Sequence, residues 1–424
     1  MPMRIGRALI GFVFACTVAG AAGAQRTVTT PSGFSAERLA RIDTALARYV
    51  ADGQVAGIVA LVLRDGKPVY QTALGWADRE ANRRMTSDAI FRIASQSKAL
   101  TSVAVLMLVE EGKLGITDQV SRYIPAFATT TVAMRTDSGR AIIAAKRQIT
   151  IRDLLTHTAG ISYGTGALVA PLYEVKGLGP AAGYGWYTAD KAEPVCATIE
   201  RLATLPFVAQ PGEAWVYGYN TDILGCVVER ASGKSLDEFI RTRITEPLGM
   251  RDTYFFLPTA KRDRLAAVYA STADAKYTRA ADGAKGQGHY VDGPRANFAG
   301  GAGLVSTARD YGRFLEMIRR GGAIDGRRYL APATAALMHT NMVGTLHSTD
   351  GLGFGLGFET FDRFGSGGLT TAGSYGWGGA YGSSYRVDPE ERLVMILMIQ
   401  LIPDRSDIRD RFPTLVYQAL VPAR

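Results

Sequence analysis

The stretch FRIASQSKALTSVAVLMLVEEGKL, residues 91–114, sets Ser95 and Lys98 three apart at the head of a run that is otherwise almost wholly apolar. ALTSVAVLMLV carries no polar stripe, so a helix starting at Ser95 and stopped by Gly112 must be buried on every side. The first N–H groups of such a helix lack intrahelical acceptors, and the positive end of its dipole meets whatever adjoins it. Residues three apart share a helix face with β-carbons roughly 5–6 Å apart, so the Lys98 amine can reach back to the Ser95 hydroxyl. Burial and the helix terminus both disfavour an ammonium, which suits Lys98 to accept a proton and Ser95 to be activated by losing one. The plain alternative is a capping serine beside a lysine that reaches out to solvent.

Outward from this helix the pattern changes character. Upstream, SGFSAERLARIDTALARYVADG places Leu39, Ile42, Leu46, Tyr49 and Val50 on one helical stripe, with Ser32 or Ser35 as N-cap. VAGIVALVLRDGKPVYQTALGWAD then reads as two strands split by the tight turn Asp65-Gly66. Downstream the reading is mostly helical to about Ser306, with a second hairpin in VAMRTDSGRAIIAAKRQIT, a helix capped by Asn220 and another opening on Ser235 and Glu238. GLGFGLGFET, GGAYGSSYRVDP and RLVMILMIQ return to strands, and an amphipathic helix over residues 409–420 closes the chain. Strands at both ends with helices between them predict a mixed α+β fold. An antiparallel sheet built from the N- and C-terminal segments (25–93 and 307–424) is flanked by helices, a mainly helical lobe (94–306) is inserted, and the ligand cleft lies between the two.

The composition fits a large globular unit, with 424 residues, 47% hydrophobic and 21% charged. Residues 1–24 combine Arg4 and Arg7, a short apolar run and small residues at Ala22 and Ala24, the pattern of an export signal cut after Ala24. A periplasmic or secreted protein is expected; a lipid anchor on Cys16 is the competing reading, disfavoured by Phe14 beside it. Cleavage lowers the formal charge from +9 to +7, and the excess is dispersed, with no nucleic-acid motif. No later segment is long and apolar enough for membrane insertion. Cys196 and Cys226 remain, either as a disulfide or as buried thiols. The four histidines, His157, His289, His339 and His347, show no metal-ligand spacing, so neither metal nor organic cofactor is expected.

Several segments together resemble the class C β-lactamase and penicillin-binding-protein superfamily, most closely the family VIII carboxylesterases. Besides SQSK these are ITIRDLLTHTAGI (149–161), PGEAWVYGYNTDILG (211–225), GGAGLVSTARDYGRF (300–314), GFGLGF (353–358) and YGWGGAYGSSYRVDP (375–389), in family order. The resemblance implies a serine nucleophile at Ser95, with Lys98 as base. It assigns Tyr217 to a shared proton network that protonates the leaving group, and the N–H groups of Ser95 and Ala380 to an oxyanion hole. Trp377, Gly378 and Gly379 would line the opposite wall, the glycines because a strand without side chains can approach an acyl group closely. Tyr219 joins them as a substrate contact, and as the alternative to Tyr217 should the register slip by two. THTAG around His157 would be a structural turn.

Two departures from the lactamase pattern bear on substrate. Tyr219 stands where an asparagine is usual, and Trp377 replaces a cationic residue. Both make the cleft less polar and favour small uncharged esters over β-lactams or D-Ala-D-Ala peptides, although Arg386, Arg405 or Arg409 could restore a carboxylate partner. Residues 177–190, with Tyr184, Trp186 and Tyr187, read as a surface loop or a wall over the cleft. AGSYG around Ser374 imitates the nucleophile elbow of an α/β-hydrolase, but no histidine follows His347, as that chemistry requires. A catalytically silent binding module is the reading from another class. The chain is expected to act on a small-molecule ester as a monomer or weak homo-oligomer.

Overall fold

A computed structural model describes residues 33–137, 139–178, 188, 190–274, 276–282 and 288–421. The expected signal segment 1–24 and the aromatic residues of the 177–190 loop lie outside these.

Helix α1 (Ala36–Ala51) is capped by Ser35, whose side chain accepts from the Arg38 N–H, and its stripe of Leu39, Ile42, Leu46 and Tyr49 is buried. Strands β1 (Gly57–Arg64) and β2 (Lys67–Asp78) form the hairpin expected about Asp65-Gly66. Both turn residues have positive φ, 53° and 77°, the left-handed conformation such a turn demands. Strand β3 (Arg83–Arg84) follows, then helix α2 (Ser97–Glu110), in which every residue from Ser97 to Leu108 is buried.

The hairpin β4 (Thr131–Thr136) and β5 (Gly139–Ala144) comes next, with helices α3 (Ile151–Leu155), α4 (Val195–Leu202), α5 (Asn220–Ser232) and α6 (Leu236–Ile240). Helix α7 (Ala308–Arg319) leads to strands β6 (Leu352–Phe354), β7 (Glu359–Phe361), β8 (Ser374–Gly378), β9 (Ser384–Asp388) and β10 (Leu393–Met398), and α8 (Ile408–Tyr417) ends the fold.

The main sheet has eight antiparallel strands in the order β6-β7-β8-β9-β10-β1-β2-β3. Its centre is the pairing of β1 with β10, Val59 opposite Met398, so the two ends of the chain meet in one sheet as their strand patterns predicted. Alternation along β1 divides the core. Ile58, Ala60 and Val62 face α1 and α8, packing with Leu39, Ile42, Phe412 and Val416. Val59, Leu61 and Leu63 face the larger cluster that includes α2 and α7.

Two features depart from the expected layout, and a third decides between two readings. The middle of the chain returns to the sheet side before Ser306, because Tyr269–Ser271 pairs in parallel with Leu401–Ile402. Asn220 does not cap α5: Tyr219 occupies the cap position, and the Asn220 amide is turned inward. Cys196 and Cys226 form a disulfide that ties α4 to α5, which settles the open choice between bridge and thiols.

Candidate active site

A turn of 3-10 helix, Ala94–Gln96, precedes α2. Ala94 has φ +44°, a left-handed value costly for a residue with a β-carbon and held only because the surroundings fix it. The turn sets Ser95 partly open while Ala94, Gln96, Ser97 and Lys98 are buried. Lys98, 3% exposed, directs its amine back along the helix. The Nζ lies 3.3 Å from Ser95 Oγ, 3.0 Å from the Tyr163 hydroxyl and 2.7 Å from the Gly301 carbonyl. Three acceptors match the three protons of an ammonium. A neutral amine keeps one N–H for Gly301, whose carbonyl can only accept, and its lone pair must then take a hydrogen bond from a hydroxyl, that of Ser95 or Tyr163.

Tyr163 is the participant that sequence reasoning missed. It sits 65 residues from Lys98, at the end of the THTAGISY turn that reads as purely structural. Positive φ at His157 (58°), Gly160 (82°) and Gly164 (75°) folds this segment back beneath the site. Burial holds the Tyr163 phenol protonated well above the usual tyrosine range, with Tyr217, Asp222 and Tyr219 adding to the effect. The faint signal was a tyrosine fixed between closely spaced turn residues.

Tyr217 is present but turned differently from expectation. Its ring face, not its hydroxyl, is what Lys98 meets, with Nζ 4.6 Å from the ring centroid. The hydroxyl accepts from Trp377 Nε1 at 3.3 Å, and the Tyr163 and Tyr217 rings meet edge to face at 5.6 Å. Tyr219, expected in the cleft wall, is 1% exposed and packs under it against Tyr163, ring centroids 4.9 Å apart. Tyr217 is half-buried while the residue two positions on is buried, because the chain has by then reached the cap of α5.

The far wall is β8 and the turn after it. A cavity of about 380 Å³ is lined by Ser95, Tyr217, Trp377, Gly378, Gly379 and Ala380. A β-carbon on Gly379 would lie 2.6 Å from the Ile93 carbonyl, in the turn that carries Ser95, so only glycine permits this approach. The Gly379 N–H is taken by the Ser383 carbonyl, whereas that of Ala380 has no acceptor among the described residues.

Arg386 and Arg409 reach the same cavity; Arg405 does not line it. Arg386 is engaged, donating to the Gly367 carbonyl and to Thr370 Oγ1 over the Phe361 ring. Arg409 lies across Gly378, where a β-carbon would be 2.1 Å from its Nη2.

His157 is 2% exposed, accepts from the Asn220 amide at Nδ1 (3.0 Å) and packs on Tyr217. Burial, then the Lys98 charge, lowers its pKa well below the ordinary value, so it stays neutral and shapes the site floor. Ser374 of the imitation elbow is fully buried against Thr371. Among the described residues no cluster of potential metal ligands occurs, and no helix is long and apolar enough to cross a membrane.

The Beta-lactamase family profile matches residues 42–416. Esterase EstB of Burkholderia gladioli is 32% identical over 386 residues, covering 87% of this chain and 92% of its own length. An uncharacterized protein of Mycobacterium tuberculosis strain CDC 1551 is 34% identical over 383 residues, covering 85% of this chain and 89% of its own. Among solved structures, EstCE1, described as a hydrolase with promiscuous acyltransferase activity, superposes with a TM-score of 0.73 at 28% identity, covering 90% of this chain and 98% of that one. A serine and a lysine three apart at the head of a buried helix, a glycine strand facing them and a match along nearly the whole described length lead to one assignment: the chain belongs to the Beta-lactamase family of serine hydrolases.

Proposed function

We propose that this protein is an exported carboxylesterase that cleaves short-chain esters through an acyl intermediate on Ser95. The observation that carries the reading is the Lys98 amine, within 3.3 Å of Ser95 Oγ at the wall of a cavity whose far side is Trp377-Gly378-Gly379-Ala380.

In this mechanism the Lys98 amine takes the Ser95 proton as Oγ bonds to the ester carbonyl carbon. The negative charge that develops on the carbonyl oxygen is stabilised by the N–H groups of Ser95 and Ala380, donors fixed before the reaction begins. Collapse breaks the carbon–oxygen bond to the alcohol. The alcohol leaves with a proton delivered through the phenols beside Lys98, Tyr163 and Tyr217, and Lys98 is restored as the proton passes. Water then attacks the acyl carbon, the same groups move its proton, and the carboxylic acid departs. The relationship to EstB and EstCE1 supports the ester substrate, and Trp377 with Tyr217 and Phe361 gives the cavity an apolar side, across from Glu359, Arg386, Arg409 and Asp410.

A second reading, hydrolysis of β-lactams or cell-wall peptides, draws on Arg409. Its guanidinium covers Gly378, where a substrate carboxylate would find it. The test compares a short-chain nitrophenyl ester with a chromogenic cephalosporin. Preference for the ester by two orders of magnitude or more is expected, and preference for the cephalosporin would reverse the assignment. Labelling by a fluorophosphonate probe, lost in Ser95→Ala, excludes the binding-module alternative; equal labelling would support it.

A further inference from the structure

The amine of Lys98 has a buried counter-charge that the ester mechanism above leaves unused. Asp222, in the first turn of α5, is fully buried. Its Oδ1 accepts from the Gly301 N–H at 3.1 Å, and its Oδ2 is buried without a hydrogen-bond partner among the described residues. The Gly301 carbonyl is the acceptor that Lys98 Nζ reaches at 2.7 Å. One residue therefore lies between amine and carboxyl, gripping the first with its carbonyl and the second with its N–H. A β-carbon at position 301 would stand 2.4 Å from Asp222 Oδ2, so a larger residue there would displace the carboxylate.

A carboxylate buried with one oxygen unpaired is costly unless a positive charge stands nearby. Burial raises the Asp222 pKa to about 6, and the charge on Lys98 is the first influence that opposes this. The other groups facing the pair cannot take that role. His157 is held neutral, and Tyr163, Tyr217 and Tyr219 are phenols. Charged groups on the remaining elements packed against α5 are engaged elsewhere. Asp153 of α3 pairs with Arg147, and Arg152 donates to the Met342 carbonyl. Glu200 and Arg201 of α4 pair with Arg230 and Glu193. Glu238 of α6 pairs with Lys234, and Asp237 is subject to Arg241 and Arg295.

We propose that Asp222 is a positioning residue for the base: its carboxylate stabilises the ammonium that Lys98 becomes each time it takes the Ser95 proton, acting across Gly301. The inference rests on the acyl-serine reading above. The step balances without Asp222 gaining a proton. The Ser95 O–H bond breaks, an N–H bond forms on Nζ, Oγ bonds to the acyl carbon, and the carbonyl oxygen takes the negative charge. The positive charge created on Nζ is then matched by the negative charge that Asp222 already holds behind it.

The test is Asp222→Asn, an isosteric change that keeps an acceptor for the Gly301 N–H and removes only the charge. In the pH profile of kcat/KM for a nitrophenyl ester, the acid limb is expected to move down by about one unit, because the ammonium has lost its counter-charge. The plateau is expected to fall by about tenfold, less than the roughly 10²-fold or more that outright loss of a general base costs, because the base is weakened and not removed. An acid limb that stays in place, with or without a uniform loss of rate, would overturn the proposal by leaving Asp222 a purely structural role. If Asp222→Asn does not fold, a carboxyl ¹³C NMR titration of aspartate-labelled wild type against Lys98→Met decides. One aspartate should titrate at higher pH in the variant, and superimposable titrations would overturn the idea. That readout needs no turnover, so it can fail or succeed separately from the ester assignment, which the Ser95 labelling experiment tests.

Discussion

The Lys98 amine stands 3.0 Å from the Tyr163 hydroxyl and touches Tyr217 only through its ring face. In the proposed mechanism two tyrosines therefore divide a task that the resemblance assigned to Tyr217 alone. Tyr163→Phe removes the hydroxyl in contact with the base, and Tyr217→Phe removes the one beside Trp377. Each is expected to lower kcat by about 10²-fold or more, as loss of a positioned proton donor does. Steady-state kinetics on a nitrophenyl ester measures both. Near-normal turnover in Tyr163→Phe would return the relay to Tyr217 alone.

Ser95→Ala and Lys98→Ala should each abolish measurable esterase turnover while leaving the far-ultraviolet circular dichroism unchanged. Ser95 is partly open and loses little packing as alanine, whereas the Lys98 stem is buried and its charge faces Asp222, so Lys98→Ala should keep its secondary structure but lower the melting temperature. Intact-protein mass spectrometry should find the acyl adduct on wild type only, and an adduct on Ser95→Ala would place the nucleophile elsewhere.

The two glycines of the far wall should respond differently. At Gly379 an added β-carbon meets the backbone carbonyl of Ile93 at 2.6 Å, and neither strand nor turn can yield without moving Ser95. Gly379→Ala is expected to cost at least tenfold in kcat/KM and to lower the melting temperature by several degrees. At Gly378 the obstacle is the end of the Arg409 side chain, which can swing away. Gly378→Ala should therefore fold like wild type, with any loss appearing mainly in KM.

Acid should destabilise the protein from about pH 6.5 downward, the ordinary histidine range. His157 is buried with its pKa well below that value, so the unfolded chain takes up a proton that the folded one refuses. The stabilisation is fully present above pH 6.5 and is lost at up to about 1.4 kcal/mol per pH unit below it. Asp222 acts in the opposite sense. Its folded pKa of about 6 exceeds the unfolded one, so between about pH 6 and 4 its protonation favours the folded state. Urea midpoints should fall between pH 7 and 6 and flatten below that, and His157→Asn, tolerant of φ +58°, should reduce the fall to the part that burial of His339 contributes.

Much of this was legible from pattern. The apolar run after Lys98 required a buried helix, and Asp65-Gly66 required a hairpin; both follow from local periodicity and turn chemistry. The meeting of the two chain ends in one sheet was readable from strands at both ends with helices between them, although which strands pair was not. What escaped was long-range and polar. Tyr163 and Gly301 reach Lys98 from 65 and 203 residues away through turns of irregular backbone, where no period reports direction. Tyr219 misled because alternate positions share a face on a strand, and here the chain passes from loop into helix between Tyr217 and Asn220.

The Cys196–Cys226 bridge ties α4 to the helix whose first turn holds Asn220 and Asp222. It closes a loop with sequence separation 30, worth roughly 3–4 kcal/mol through the entropy it removes from the unfolded chain. Both sulfurs are buried, so the bridge should resist mild reductant until the protein opens. The double variant Cys196→Ala with Cys226→Ala, two small residues that fit the space of the pair, should lower the urea midpoint by an amount matching that free energy and leave KM within twofold. Because α5 is also held by α2 and α3 through buried packing, the helix start should keep its place without the bridge, and the loss should fall on stability rather than on turnover. A variant as stable as wild type but slow would mean that the disulfide sets the position of Asp222 instead.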